Sequence, residues 1–135
     1  MTFKSALAAL DARQEAKIEL GLDRLLAHLT LLGNPQASLR CFHVAGTNGK
    51  GSVCAILESV LRAAGYKTGL YTSPHLTDVR ERIKISGKPI SREDFSRLMS
   101  RTLKAKEKLT YFEILTSVAF QYFQENKVDV AVLET

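Results

Sequence analysis

The sequence predicts an incomplete α/β fold: a parallel sheet flanked by helices, with a phosphate-binding loop at the end of one strand. Three observations carry that reading. The apolar run Cys41-Phe42-His43-Val44 leads into the glycine-rich stretch Ala45-Gly46-Thr47-Asn48-Gly49-Lys50-Gly51-Ser52, and a helical pattern follows. Thr68 to Tyr71 reads as a second short strand, which makes a strand–loop–helix–strand unit with parallel strands and a right-handed crossover. Val128-Asp129-Val130-Ala131-Val132-Leu133-Glu134 is nearly continuous in apolar residues, the signature of a strand buried on both faces.

The other elements follow in chain order. Phe3 to Gln14 carries a weak helical pattern through Leu7 and Leu10. After Gly21, the residues Leu22, Leu25, Leu26, Leu29 and Leu32 share one helical face, and Gly33-Asn34-Pro35 stops that helix. The first strand covers residues 40–44. The helix after the loop covers 50–64, with Val53, Ile56, Leu57, Val60 and Leu61 inward and Gly65 as its stop. Ile83 and Ile85 alternate with polar residues, as in a short half-exposed strand. Ser91 with Asp94, and Thr110 with Glu113, have capping-box spacing. The first pair opens a helix carrying Phe95, Leu98, Met99 and Leu103. The second opens a helix running to Asn126, with Phe112, Leu115, Ala119, Tyr122 and Phe123 inward. Residues 1–135 are expected to form a single partial domain: a helical segment at 1–38 and a phosphate-loop core at 39–135.

Composition narrows the class of partner. The chain of 135 residues is 45% hydrophobic and 24% charged, with 19 basic and 14 acidic residues and a net charge of +5. A domain of this length buries roughly two-thirds of its unfolded surface, enough for a true core. The modest positive charge suits small anions. The densest basic stretch, Lys104 to Lys108, is broken by Ala105 and Glu107 and reads as a solvated helix face, so nucleic acid is not an expected partner. No run has signal-peptide character or approaches membrane-spanning length, so a cytoplasmic protein without a membrane partner is expected. Cys41 and Cys54 lack metal-ligand spacing and are expected to act as small core hydrophobes, Cys41 in a buried strand.

The loop carries the chemistry. A glycine-rich turn between strand and helix turns backbone N–H groups toward an anion, and the helix N-terminus adds partial positive charge. Lys50 can reach phosphate oxygens, and a nearby hydroxyl can sit on Mg²⁺. The loop departs from the pattern G-x-x-x-x-G-K-[ST]: Val44 stands at the first glycine position, Gly51 follows the lysine, and the hydroxyl arrives one place late at Ser52. A glycine-rich turn that binds nothing is the rival reading. Thr72-Ser73-Pro74-His75-Leu76 lies at the C-terminal end of the second strand, where open α/β sheets bind ligands. Glu134 ends the buried strand, and a buried carboxylate without a partner is costly. His43 reads as structural, His28 as a surface or a satisfied residue, His75 has no assigned role, and Arg80 and Arg82 face either solvent or an anionic substrate.

Taken in order, several segments resemble the folylpolyglutamate synthase/dihydrofolate synthase family, a branch of the Mur-ligase-like ATP-dependent amide ligases. They are Leu20-Gly21-Leu22-Asp23-Arg24, Leu32-Gly33-Asn34-Pro35, the loop from His43 to Ser52, Tyr71-Thr72-Ser73-Pro74-His75-Leu76, Glu81-Arg82-Ile83, Tyr111-Phe112-Glu113 and Ala131-Val132-Leu133-Glu134. Gly-Lys-Gly-Ser followed by Thr-Ser-Pro-His-Leu points to the folate branch, because the cell-wall ligases usually carry Thr after the loop lysine. The resemblance implies a truncated ATPase domain of the Mur-ligase-like fold. It also implies an activity in which ATP phosphorylates a folate or pteroate carboxylate, which the amine of glutamate then attacks.

Carried over by position, Gly46, Thr47, Asn48, Gly49, Lys50, Gly51 and Ser52 resemble the ATP-binding segment, with Lys50 in the catalytic role. Ser73 and Glu134 resemble Mg²⁺ ligands. Glu19, Leu20, Gly21 and Leu22, with Thr110, Tyr111, Phe112 and Glu113, resemble the pterin-side pocket. Glu113 is equally explained as half of a capping box, and Phe112 as core. The resemblance covers about the first third of such a ligase. A further histidine ligand, a carbamylated lysine and the glutamate-binding domain belong to the family beyond this stretch. The expectation is therefore the N-terminal portion of a cytoplasmic, monomeric ligase, inactive as an isolated chain. Two rivals stand beside it: a non-catalytic nucleotide-binding fragment or decayed gene product, and a fragment of a cell-wall Mur-type ligase.

Overall fold

The structure, a computed structural model, describes residues 1–13, 23–104 and 108–134. The expectations for Gln14 and for Glu19 to Leu22 lie outside these residues. The chain divides into two compact units, Met1–Ala37 with Arg92–Tyr122, and Ser38–Ser91 with Phe123–Thr135. Among the described residues, no helix is long and apolar enough to cross a membrane.

The first unit is helical: α1 (Phe3–Asp11), α2 (Asp23–Leu31), α4 (Arg92–Leu103) and α5 (Tyr111–Glu125), the last continuing into the second unit. Thr2 caps α1 in a reciprocal box with Ser5. The face of α1 bearing Ala6 and Leu10 is buried, as are Phe95, Leu98 and Met99 of α4. The Phe3 and Phe95 rings meet edge-on at 5.6 Å. His28 is 1% exposed and its Nε2 lies 2.7 Å from the Ser117 hydroxyl. The Gln121 amide donates to Ser117 Oγ and to Thr102 Oγ1, each at 3.0 Å, so polar side chains of α2, α4 and α5 satisfy one another in the core. Leu25 and Leu29 are inward as expected, but Leu26 is half exposed. Phe112, expected inward on α5, is also half exposed.

The second unit holds a five-stranded sheet of order β1-β5-β2-β3-β4, made of β1 (Cys41–Val44), β2 (Thr68–Tyr71), β3 (Ile83–Ile85), β4 (Lys88–Pro89) and β5 (Val130–Glu134). The three strands legible in the sequence form its parallel part. β5 lies between β1 and β2, parallel to both, with Val44 opposite Glu134 and Tyr71 opposite Leu133. β3 and β4 extend the sheet antiparallel, so the sheet is mixed where a parallel one was expected. Such short strands need no crossover helix, only the 3-10 turn Val79–Arg82 and the tight return at Ser86-Gly87.

α3 (Lys50–Ala63) packs on β1, β2 and β5 and ends in a Schellman pair: Tyr66 N–H to Leu61 C=O, and Gly65 N–H to Arg62 C=O. Its inward face corrects the sequence reading. Cys54 and Glu58 are buried, whereas Val53, Ile56 and Val60 are 52%, 66% and 61% exposed. Glu58 sits under the helix because the Thr68 hydroxyl donates to its carboxylate at 2.8 Å and Arg62 pairs with it at 3.1 Å. A buried carboxylate so supplied is tolerated on an inward face. Cys41, expected to be buried, is exposed, because β1 is an edge strand whose residues are mostly solvent-facing. Thr68 turns its side chain toward α3, so Gly69 faces the other side of the sheet, where the Phe123 ring covers it.

A Cβ on Gly69 would lie 2.9 Å from two atoms of that fully buried ring. Gly69→Ala is expected to cost about 1–3 kcal/mol by overpacking, although alanine is the better strand residue elsewhere. Denaturant unfolding checks this, and unchanged or raised stability would count against the contact.

Candidate functional site

The site is assembled at the C-terminal ends of β1, β5 and β2, all in the second unit. After Val44 the chain runs through Ala45 to Gly49 fully exposed and enters α3 at Lys50. Gly49 is the N-cap residue, in the left-handed conformation with φ 76°, where a side chain would be strained. As a glycine, Gly49 offers α3 no side-chain cap. A helix start behind a glycine turn is the arrangement that accepts phosphate oxygens.

Register brings the carboxylate to that loop. Glu134, paired opposite Val44 at the end of β5, is 6% exposed. The Ser73 backbone N–H donates to its Oε1 at 3.4 Å, and its Oε2 lies 3.6 Å from where a Cβ on Gly51 would stand. Gly51 therefore lets the carboxylate lie against the first turn of α3. Lys50 returns over the loop, its Cγ within 3.9 Å of the Cβ position of Gly46. Burial pushes the Cys54 thiol above its ordinary range, the Glu134 charge raises it further, and Lys50 opposes the shift. Both charges are therefore felt one turn into α3. The structure thus gathers Gly46 to Ser52, Ser73 and Glu134 at one place. Among the described residues no group of three or more His, Cys, Asp or Glu side chains could hold a metal ion. Ser73 and Glu134 still supply a hydroxyl and a carboxylate, the hard oxygen donors that suit Mg²⁺ held by few protein groups.

Thr110 to Glu113, expected on the pterin side, lie in the first unit. Thr110 N–H donates to Glu113 Oε1 at 2.9 Å and Glu113 N–H to Thr110 Oγ1 at 3.3 Å, which closes the capping box. Arg24 grips the same carboxylate, Nη2 to Oε2 at 3.1 Å and Nε to Oε1 at 3.3 Å. Tyr111 is partly exposed and Phe112 half exposed. Arg24 stood in a recognised segment, but sequence spacing offered no sign of its pairing across 89 residues.

Sequence reading also missed the organisation of the loop after β2. Glu81 accepts four hydrogen bonds: Leu76 N–H at 2.9 Å, Thr77 N–H at 3.1 Å, Thr77 Oγ1–H at 2.7 Å and Asp78 N–H at 2.9 Å. Arg82 Nε donates to His75 Nδ1 at 2.7 Å. The spacing Asp78-x-x-Glu81 is itself a capping-box signature that could have revealed part of this.

A helix start behind a glycine loop, with a hydroxyl and a carboxylate at neighbouring strand ends, is the arrangement that suits phosphate groups at the mouth of an open α/β sheet. No family model matches the chain. The chain is 48% identical over 121 residues to the dihydrofolate synthetase of Saccharomyces cerevisiae, covering 87% of this chain and 28% of that one. It is 39% identical over 142 residues to the dihydrofolate synthase/folylpolyglutamate synthase of Bacillus subtilis, covering 98% and 33%. Among solved structures, an FPGS–AMPPCP–folate complex superposes with a TM-score of 0.88 at 35% identity, covering 99% of this chain and 35% of that one. The Yersinia pestis bifunctional folylpolyglutamate synthase/dihydrofolate synthase with AMPPNP and Mn superposes with a TM-score of 0.88 at 38% identity, covering 99% and 33%. The chain belongs to the dihydrofolate synthase/folylpolyglutamate synthase family, and it spans about a third of the length of these relatives.

The loop supports a pH prediction. The Leu76 N–H, the Thr77 hydroxyl and the Asp78 N–H hold the Glu81 carboxyl at about 2, below its usual 4.5. Its folded-state value is depressed, so its hold on the loop is complete above pH 4.5 and fades as pH falls through about 2. The Glu81 carboxyl carbon, followed by NMR, is expected to titrate near pH 2, and a midpoint at its usual value would refute the cage.

Proposed function

We propose that the chain forms the ATP- and metal-binding part of a ligase that joins glutamate to a folate or pteroate acid. The observation that carries this is the start of α3 at the left-handed Gly49, with the Glu134 carboxylate against Gly51 and the Ser73 N–H on the same carboxylate. The N–H groups of Lys50, Gly51 and Ser52 would take phosphate oxygens, and the Lys50 ammonium would neutralise their charge. Ser73 Oγ and Glu134 would hold Mg²⁺, leaving its other positions to water and phosphate. When bound, the ion supplies further charge neutralisation on the transferring phosphoryl group.

In the reaction proposed, a carboxylate oxygen of the folate or pteroate acid attacks the γ-phosphorus of ATP and ADP leaves. The glutamate amine then attacks the acyl carbon, phosphate leaves, and a proton is lost as the amide forms. The names of the relatives and the ATP analogues, folate and manganese of the neighbouring structures support this reading. The reading includes residues 1–135 as one partial ATP-binding domain, a monomer working in the cytoplasm, with glutamate held by a part of the ligase outside this stretch. The 135-residue chain alone is proposed to bind nucleotide without turnover. ADP formation dependent on folate and glutamate would contradict that.

Calorimetric titration with Mg-ATP tests the site. Lys50→Ala is expected to weaken binding at least tenfold, roughly 1.4 kcal/mol or more. Ser73→Ala and Glu134→Gln are expected to reduce the enhancement that Mg²⁺ gives while leaving metal-free ATP binding close to that of the parent. Equal binding by the parent and Lys50→Ala would overturn the assignment of the loop.

A further inference from the structure

Two features of the loop between β2 and β3 are absorbed by neither the fold nor the proposed chemistry: the Glu81-Arg82 pair and the way His75 is held. Both belong to a closed arrangement. The chain leaves β2 through Thr72 and Ser73 and returns to β3 at Ile83. The Thr72 N–H donates to the Arg82 carbonyl at 3.0 Å, which fastens the neck of the loop. Inside the neck the Arg82 side chain donates through Nε to His75 Nδ1 at 2.7 Å. That contact requires the proton of a neutral His75 to sit on Nε2. At the far end, the four donors of Leu76, Thr77 and Asp78 converge on the Glu81 carboxylate. Asp78 accepts the Arg80 N–H at 2.9 Å and pairs with its guanidinium at 2.9 Å.

Apolar burial anchors this loop at Val79, which is 3% exposed, but does not order residues 75–78. Leu76 is 92% exposed, so its side chain contributes nothing to a core while its N–H is engaged at 2.9 Å. Polar contacts fix the loop backbone at the solvent face. Their nearest consequence is at Ser73, which lies between the fastened neck and His75 and whose N–H meets Glu134.

We propose that Glu81 and Arg82 are positioning residues for the metal–nucleotide site, holding the loop in the shape that presents Ser73 to Glu134 and the phosphate loop. This rests on the function proposed above. Neither side chain touches the nucleotide or the ion. Each acts through the loop: Glu81 by drawing the backbone of residues 76–78 together, Arg82 by holding the His75 ring inside the neck. Supporting groups of this kind typically alter metal affinity 10- to 100-fold when lost.

The test uses Mn²⁺ as the probe. Free Mn²⁺ is followed by electron paramagnetic resonance as it is taken up by the chain with ATP, and metal-free ATP binding is measured separately. In Glu81→Gln the amide –NH₂ cannot accept, so one side of the four-donor cage must open. Mn²⁺ retention in the ternary complex is expected to weaken roughly 10- to 100-fold, with metal-free ATP affinity unchanged and the amide resonances of Leu76, Thr77 and Asp78 displaced. A general loss of folding would lower both affinities together, and that outcome in Glu81→Gln would overturn its positioning role. Arg82→Lys leaves the cage intact but removes the Nε donor to His75. It is expected to show the same split with those three amides in place, and it tests the proposal if Glu81→Gln does not fold. Unchanged Mn²⁺ retention in a variant whose loop resonances have moved would overturn the inference while leaving the proposed function standing. Failure of the unmodified chain to bind ATP would overturn both, and it would show before any substitution is made.

Discussion

The candidate site depends on β5 being hydrogen-bonded along both edges. Because Val130–Glu134 lies parallel between β1 and β2 in fixed register, three strand ends finish side by side. The loops leaving β1 and β2 then start on either side of the Glu134 side chain. A register slip of one residue would move Glu134 to the opposite face of the sheet and carry Ala131 and Val132, both fully buried, with it. The burial that holds β5 in the middle thus also sets which way its last carboxylate points. Gly51 adds to the constraint, since a Cβ there would already touch Glu134 Oε2 at 3.6 Å and a longer side chain would extend from that contact.

That strand was legible in the sequence because burial on both faces replaces alternation with an apolar run, a pattern few other elements produce. The phosphate loop was legible for a related reason: glycines and a lysine between a strand and a helix have few other uses. The inward face of α3 was not. Two apolar stripes run along that helix, and choosing between them requires knowing that Glu58 has a hydroxyl from Thr68 and a guanidinium from Arg62 waiting under it. Those partners come from a strand ten residues away and from the next helical turn. A rule that sends apolar residues inward therefore selected the exposed stripe of Val53, Ile56 and Val60. β1 misled in the same way, because composition does not reveal which strand of a sheet lies at its edge.

In the first unit the same limit appears with opposite sign. His28 among leucines leaves two readings, surface or satisfied, and the structure gives the second, through Ser117, with Gln121 and Thr102 continuing the chain of contacts. The existence of partners follows from the cost of burying an imidazole unpaired. Their identity depends on how three helices pack and is not present in any local window. Capping boxes are the exception: Thr110 with Glu113 and Asp78 with Glu81 are local, so spacing alone carries them.

The carboxylates differ more in their hydrogen-bond donors than in their burial. Glu113 and Glu134 are each 6% exposed. Glu113 is closed around by its own helix start and by a two-pronged arginine, so its acceptor sites are largely used and its charge is matched. Glu58 is matched by Arg62, and Glu81 has four donors at 3.1 Å or less. Glu134 meets the Ser73 N–H at 3.4 Å, a bond near the limit of useful geometry, with its other oxygen turned toward the carbon of Gly51. That N–H is its hydrogen-bond donor among the described residues, which leaves acceptor capacity that a cation would use. The distribution of donors thus distinguishes Glu134 from Glu113 and Glu58, which are buried like it, and it does so at the strand end where a nucleotide and its metal would meet in the function proposed.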